Sequence, residues 1–506
     1  YENRQYDEAA PAYEKSAYHY PQHEKSADAG YAALLAYRKH EATLAAGEFR
    51  DHWHWLGISS ALSFIKRFPG DPRTTPLLAT TAQELYALHR YQHASDVARL
   101  LLVRQPPPER SVMMTAWTVL GYSEFELGHY EEAEHAYREV LAMTDAKDRL
   151  RAQRIEWLAA TIYKQAEQAR DNGQPMAAAK HFMRVGELVP DTKIRVTADY
   201  DAATSMLVAA RWSEAIELLL KFRAAYRDSP LQNSVSEKLA VAYMRAERHR
   251  DAARELEAIA AKRAEAHDKR DALELAADLY EKAGDAEAQQ RLLKRYLKEY
   301  PSPLEPAIEA YRKLALLAER QRDSSGRDQW YRALLAAHDK LPAEQTVRSR
   351  YVAATAQLAL ARPRFEAFDA VRLVEPLQQN LQRKTQLMEE GLAAFGKVLD
   401  FNSAETTTEA TWHIAELQRR FGRALMESQR PANLSAEELE QYELMLEERA
   451  FPFEENAIEV HASNLARARD GVYDSWVKRS IEALAALNPA RYAKQELESE
   501  VIDELR

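Results

Sequence analysis

Residues 114–142 read MTAWTVLGYSEFELGHYEEAEHAYREVLA. Two short helices joined by a tight turn account for this order. Small side chains stand where two helices would touch, at Gly121 and Ala133, and Trp117, Leu120 and Tyr137 supply bulk beside them. Gly128 falls between the two apolar runs, where a helix can end on a residue with positive φ. Glu131 and Glu132 then open the second helix, where acids favour its dipole.

The layout recurs along the chain. The second-helix pattern is a small residue, an aromatic or Leu four positions on, and often a closing Pro. It is met at Ala9, Tyr13, Ser16 and Pro21, whose own first helix is expected upstream of Tyr1. Gly30–His40 reads as the next first helix. Further copies are Gly57, Ala61, Phe64 and Pro69; Ala94, Ala98, Leu101 and Pro106; then Ala133, Tyr137 and Val140. The fifth is Ala178, Phe182, Val185 and Pro190. The sixth is Ala215, Leu219 and Phe222, and the seventh Ala252, Leu256 and Ile259. The eighth is Gln289, Leu293, Tyr296 and Pro301, and the ninth Trp330, Leu334, Ala337 and Pro342. Positions 57 and 94 lie 37 apart, and 178, 215, 252 and 289 follow one another at intervals of 37.

The unit resembles the tetratricopeptide repeat (TPR), a helix–turn–helix that stacks into solenoids with a usual period of about 34 residues. These copies are about one helical turn longer. The resemblance implies an all-α, TPR-type α-solenoid over residues 1–342, of eight to nine repeats. Residues 343–506 form a C-terminal helical extension, acidic toward its end.

Composition agrees. The chain has 506 residues with only 14 Gly and 20 Pro, a helix-rich balance too long for one compact core. It has no Cys, which excludes disulfides, Cys-bound zinc and thiol catalysis within it. A Cys-free chain also suits an oxidising compartment such as a bacterial periplasm, and equally a cytosolic protein low in Cys. Of the net charge of −10, residues 431–506 carry 17 acids against 8 bases, an excess of 9. The rest is nearly neutral and has no basic face, so nucleic acid is not the expected partner. No apolar run reaches the length of a membrane span.

Within the extension, Pro376 opens a helix whose Leu377, Leu381, Met388, Leu392, Phe395 and Leu399 share a face, and Asn402–Ser403 ends it. Ala410, Ile414, Leu417, Phe421 and Leu425 line a second helix, and the two stripes are expected to pack as an antiparallel pair. Ser435 and Glu438 form a capping box. Pro452 is expected to separate that helix from the next. A last helix is expected from Val472 to Leu487 with Tyr473, Val477, Leu484 and Leu487 aligned. The charged end KQELESEVIDELR is expected to fray. The run LSAEELEQYELMLEERAFPFEENAIEVHASNLARARDGVYDSWVKRSIEALAALNPARYA, residues 434–493, is similar to the ends of large periplasmic TPR proteins of TonB/ExbB/ExbD-type energy transduction or gliding motility. That resemblance implies a scaffold beside an envelope complex.

No catalytic set stands out. Phe395–Gly396–Lys397 lacks the upstream glycines of a phosphate loop, and His413 is followed by Ile-Ala-Glu rather than completing a zincin helix. His52 and His54 point to different sides of one helix and cannot share a metal. They read as packing around Trp53 and Trp55, as do His129 and His135 around the fourth turn. No cofactor, metal or catalytic residue is expected.

Recognition is left. In TPR arrays the first helices line a concave groove. The resemblance places Thr118, Tyr122, Phe125 and Glu126 there, then Tyr163, Glu167 and Arg170, then Tyr200 and Thr204. Glu237, Met244 and Arg245 follow, and Asp271, Glu274, Asp278 and Glu281 make the far end acidic. Such a groove suits a peptide with aromatic anchors and a basic segment; the alternative for each residue singly is that Tyr163 and Tyr200 pack between neighbouring first helices and the acids are solvated. The positions lack the Lys/Asn/Arg set that TPR domains use to clamp a C-terminal carboxylate. The expected function is a non-catalytic protein-interaction scaffold of the bacterial cell envelope, linked to a TonB-type or motility complex. A cytoplasmic TPR adaptor is the alternative, and a cell-wall polymer enzyme or export factor a second.

Overall fold

The computed structural model describes residue 1, residues 4–432 and residues 434–493. The end expected to fray, 494–506, lies outside them. Among the described residues every regular element is helical. The chain forms two compact units, Tyr1–Arg248 and His249–Arg506. This is a different division from that between repeats and extension at 342.

The first unit holds α1 (Tyr6–Glu14), α2 (Ser26–Glu41), α3 (Glu48–Arg67), α4 (Thr74–Ala87), α5 (Tyr91–Leu102) and α6 (Arg110–Glu126). It continues with α7 (Tyr130–Ala142), α8 (Arg151–Asp171), α9 (Pro175–Leu188), α10 (Arg195–Val208), α11 (Trp212–Ala225) and α12 (Gln232–Arg245). Each helix packs on the next in sequence. The second helices are those the sequence assigns. Ala178, Phe182 and Val185 of α9, and Ala215, Leu219 and Phe222 of α11, are buried. Gly121 is small for the expected reason: a Cβ there would stand 2.8 Å from the ring of Tyr137, itself buried in α7.

One backbone device repeats. At the end of first helices, His89, Gly128, Gly173 and Ala210 take positive φ of 57°, 80°, 71° and 55°. The next residue then donates its N–H to a carbonyl five residues back: Arg90 to Leu85, His129 to Glu124, Gln174 to Ala169 and Arg211 to Met206, each at 2.9 Å. This is the Schellman closure, which satisfies carbonyls left open by the helix end. Glu247, at φ 57°, ends α12 the same way.

The second unit holds α13 (His249–Lys262), α14 (Ala266–Lys282), α15 (Ala286–Glu299), α16 (Leu304–Arg320), α17 (Ser324–Lys340) and α18 (Val347–Ala370). Then come α19 (Leu377–Leu399), α20 (Ala404–Met426), α21 (Ala436–Arg467), α22 (Ser475–Leu487) and the short α23 (Pro489–Tyr492). Gly284 and Arg322 close α14 and α16 by the same left-handed device. The stops at 173, 210, 247 and 284 are 37 residues apart, so the period of the apolar stripe is also the period of the turn.

The sequence reading needs five corrections here. In the first copy Ala10 and Ala17 are buried, one residue on from the half-buried Ala9 and Ser16. In the seventh copy Ala260 is buried and Ile259 only half-buried. In the ninth, the buried stripe of α17 is Tyr331, Leu334 and His338, one residue on from Trp330 and Ala337. Pro452 does not end a helix; α21 runs through it. An interior Pro costs a helix about 3 kcal/mol, and packing against α20 on both sides of it offsets that cost. Gly422 of α20 lets the α21 backbone come close, since a Cβ there would lie 3.3 Å from the Ala450 carbonyl and 3.4 Å from Phe453. Finally, Tyr473 is exposed and outside α22. Asp474 starts that helix instead: its Oδ1 accepts the N–H groups of Trp476 and Val477 at 2.9 Å, and its Oδ2 takes the Thr408 hydroxyl at 2.6 Å.

α19 and α20 pack together as expected, with Met388, Phe395, Leu417 and Phe421 in one core. His413 lies inside it, stacked on Phe395 with ring centroids 4.6 Å apart. Burial, opposed by a hydrogen bond to the Glu409 carbonyl, lowers its pKa to about 4. Across the core, Ser435 and Glu438 form the expected reciprocal cap at the start of α21.

Two outcomes follow. Ala210→Gly and Arg322→Gly are each expected to raise stability by about 0.5–1 kcal/mol, because a side chain pays for left-handed φ and Gly does not. Gly173→Ala, with open space around its Cβ position, is expected to lose about 1 kcal/mol, read from urea midpoints. For His413 the unfolded chain binds a proton below about pH 6.5 and the folded chain only below about 4. Stability is therefore full above pH 6.5 and falls as pH drops from 6.5 to 4, by about 3 kcal/mol. Comparing urea midpoints at pH 7 and pH 4.5 checks this, and His413→Leu is expected to flatten the difference.

Candidate functional site

First helices of successive repeats meet directly. α4 packs on α6 and α8 on α10 in the first unit, and α16 packs on α18 in the second. Within each unit this contact brings the facing sides of neighbouring first helices together. Side chains one period apart therefore face each other.

In the first unit these contacts build an aromatic run. Tyr86 of α4 stacks on Tyr122 of α6 at 5.4 Å, and Tyr122 meets Trp157 of α8 edge-on at 4.7 Å. Tyr122 also touches Tyr137 at 6.0 Å. Burial, then the neighbouring Tyr86, pushes the Tyr122 phenol up to about 12. All three members of the run are half-buried, so each keeps an edge open. Glu126 is exposed one turn beyond Tyr122 and forms no ion pair among the described residues. Phe125 packs edge-on against Tyr130 at 5.5 Å, and Thr118 donates to the Met114 carbonyl of its own helix.

Further along, the first helices are tied by hydrogen bonds. Tyr163 of α8 donates to Asp201 of α10 at 2.5 Å, and the hydroxyls of Tyr200 in α10 and Ser234 in α12 lie 2.7 Å apart. Burial, then the bond to Asp201, raises the Tyr163 pKa. Lys238 lies over the Tyr200 ring at 5.6 Å. Glu167 is taken up by Lys164 at 2.7 Å and Arg170 at 3.5 Å, and Thr204 bonds the Tyr200 carbonyl. Glu237 and Arg245 are exposed and Met244 half-buried.

In the second unit the acids named from sequence meet cations. Asp278 pairs with Lys313 of α16, and Glu281 with Arg320 at 2.6 Å. One repeat on, Glu309 is held by Arg312 and Arg348, both at 2.6 Å. Asp271 pairs with His267 at 3.2 Å. Glu274 is half-buried, and burial raises its pKa against the opposing pull of Lys313. This face is a charge ladder between first helices, not an open acidic wall.

Sequence reading placed Tyr122, Tyr163 and Tyr200 on first helices but passed over Tyr86, Trp157, Asp201, Lys313 and Arg320, which partner that same face. The signal was the period itself. From Tyr86 to Tyr122 is 36 residues, from Tyr122 to Trp157 is 35, and from Tyr163 to Asp201 is 38. Of the histidines set aside as packing groups, His52 is exposed, and His129 is exposed while bonded to an acid. His54 bonds Glu41 at 3.0 Å, His129 bonds Glu124 at 2.7 Å, and His135 meets Trp117 edge-on. Trp55, beside them in sequence, is partly exposed under the Arg90 guanidinium.

Comparison with protein-family models finds no match, and neither does comparison with curated proteins. Among solved structures, the chain is similar to the C-terminal part of a TPR repeat-containing protein from Cytophaga hutchinsonii. Identity is 14%, 51% of this chain and 95% of that one are covered, and the TM-score is 0.24. It is also similar to a tetratricopeptide repeat protein from Parabacteroides merdae, at 13% identity, with 53% and 93% coverage and a TM-score of 0.23. Yeast Tom70 gives 11%, 96% and 97%, with a TM-score of 0.24. Likenesses this slight carry no activity or partner to this chain. Its own paired helices, repeated left-handed stops and 37-residue period make it an all-α helical-repeat protein of the TPR type.

The Tyr163–Asp201 bond offers a test of the inter-repeat ties. A double-mutant cycle of Tyr163→Phe and Asp201→Ala, followed by urea unfolding, is expected to return a coupling of about 1 kcal/mol. A coupling near zero would mean that the first helices are held by apolar packing alone.

Proposed function

We propose that this chain is a non-catalytic docking scaffold and that the first-helix face of its first unit receives the partner. The observation that carries this is the run Tyr86–Tyr122–Trp157, half-buried and edge-exposed, beside the unpaired carboxylate of Glu126. Rigid aromatic edges supply contact area at small entropic cost, and an exposed carboxylate beside them selects a cation. The partner that fits is an extended or helical peptide with an apolar anchor and a Lys or Arg close by.

The proposal extends to place. The similarity of residues 434–493 to periplasmic TPR proteins supports a scaffold of the bacterial cell envelope, serving a TonB-type or motility complex.

Crosslinking in cells, followed by capture of the tagged chain from separated envelope and cytosolic fractions, tests both parts. A partner is expected in the envelope fraction, and Glu126→Lys is expected to lose it. Glu126 is exposed, so this variant is expected to keep wild-type stability within about 0.5 kcal/mol. A partner held equally by Glu126→Lys would refute the face. Partners found only among cytosolic proteins would refute the envelope placement and favour a cytoplasmic adaptor.

A further inference from the structure

A second site lies in the other unit, away from any first-helix face named from sequence. The end of α18, the turn after it, Lys384 near the start of α19 and the second half of α20 line a half-open cavity of about 710 Å³. Its size is that of a small-molecule site. Five cations line it, Arg372, Lys384, Arg419, Arg420 and Arg423, against the carboxylates of Asp369 and Glu427.

The wall is built rather than incidental. Glu416, buried behind it, takes both nitrogens of the Arg419 fork at 2.6 and 2.7 Å and the Arg420 Nε at 2.8 Å. Arg420 is held from its other end by Asp369 at 2.8 Å. Burial alone would raise the Glu416 pKa, but His461, its Nε2 3.6 Å away, and hydrogen bonds from the two arginines bring it far below the usual carboxylate range. The anion that orders the two arginines thus stays ionised.

Lys384 is almost wholly buried. Its Nζ donates to the carbonyls of Phe368 at 3.0 Å and Val371 at 2.8 Å and lies over the Phe368 ring at 4.2 Å. Those bonds cap the end of α18 but leave its charge without a carboxylate in contact. Burial, followed by the nearby Arg420, works against that charge, and only Asp369 favours it. Arg372 and Arg423 are exposed at the rim and pair with no carboxylate among the described residues. Counting Glu416, five cations face three carboxylates, which leaves two positive charges unmatched.

We infer that this cavity is a binding site for a small oxyanion ligand, gripped by Arg372 and Arg423 at the rim and attracted by the buried ammonium of Lys384. Guanidinium forks bind phosphoryl and carboxylate groups in the same two-pronged way, so a small polyphosphate or polycarboxylate has the matching chemistry. The site is independent of peptide docking in the first unit.

Calorimetric titration of the full chain with inorganic pyrophosphate, and separately with citrate, tests the inference, with ionic strength held at about 150 mM to screen loose surface attraction. Saturable binding of at least one anion is expected, and which one binds tells phosphoryl from carboxylate recognition. The double variant Arg372→Gln/Arg423→Gln is expected to bind at least about tenfold more weakly, with its unliganded melting temperature unchanged. The control Arg67→Gln/Arg227→Gln removes the same charge from exposed positions elsewhere and is expected to bind as wild type. Absence of saturable binding by either anion up to about 10 mM, or equal weakening in the two double variants, overturns the inference.

Discussion

Helices as short as α9, α10, α11 and α12, each of 14 residues, do not hold themselves together in water. They persist because their apolar stripes are covered by neighbours. Phe182 in α9 and Phe222 in α11 are inaccessible to solvent or nearly so, as are the alanines that let the partner helix approach. A buried side chain of this size contributes about 1.5–3 kcal/mol. The left-handed stop that closes α4, α6, α8, α10, α12, α14 and α16 recurs with the same backbone bond, so the same stripe meets the same cover. Where that stop is Ala210 or Arg322 rather than Gly, packing outweighs the backbone cost.

The functional face is a consequence of that geometry. Close first helices bring polar groups of neighbouring repeats within bonding distance, and most of them pair: Tyr163 with Asp201, Asp278 with Lys313, Glu281 with Arg320. Paired groups have little left to offer a ligand. What stays available is what the pairing does not consume, namely the open edges of Tyr86, Tyr122 and Trp157 and the carboxylate of Glu126.

Toward the C-terminus the same helical chemistry is organised around buried charge. Glu416 with Arg419 and Arg420, and Glu409 with Arg362, stand among Phe395, Phe421 and Trp412. A buried carboxylate is tolerated there because guanidinium groups satisfy it in full. Pro452 is carried within α21 for a related reason, since contacts on either side of it outweigh the lost backbone bond.

The chain's order alone determined the helical class, the identity of the second helices and the 37-residue period. These follow from which residues are small, large or polar at helical spacing, a local property. The small residue at Gly121 and the cap at Ser435–Glu438 were legible for the same reason. The partners of Tyr122, Tyr163 and Asp278 were not, because they lie 35 to 38 residues away and their identity is set by how successive repeats stack. Nor were the left-handed turns at Ala210 and Arg322, where no Gly marks the spot, or the helix through Pro452, or the gathering of Lys384, Arg372 and Arg423 around one cavity. Each depends on contacts between helices distant in sequence, and only tertiary packing decides which of those contacts form.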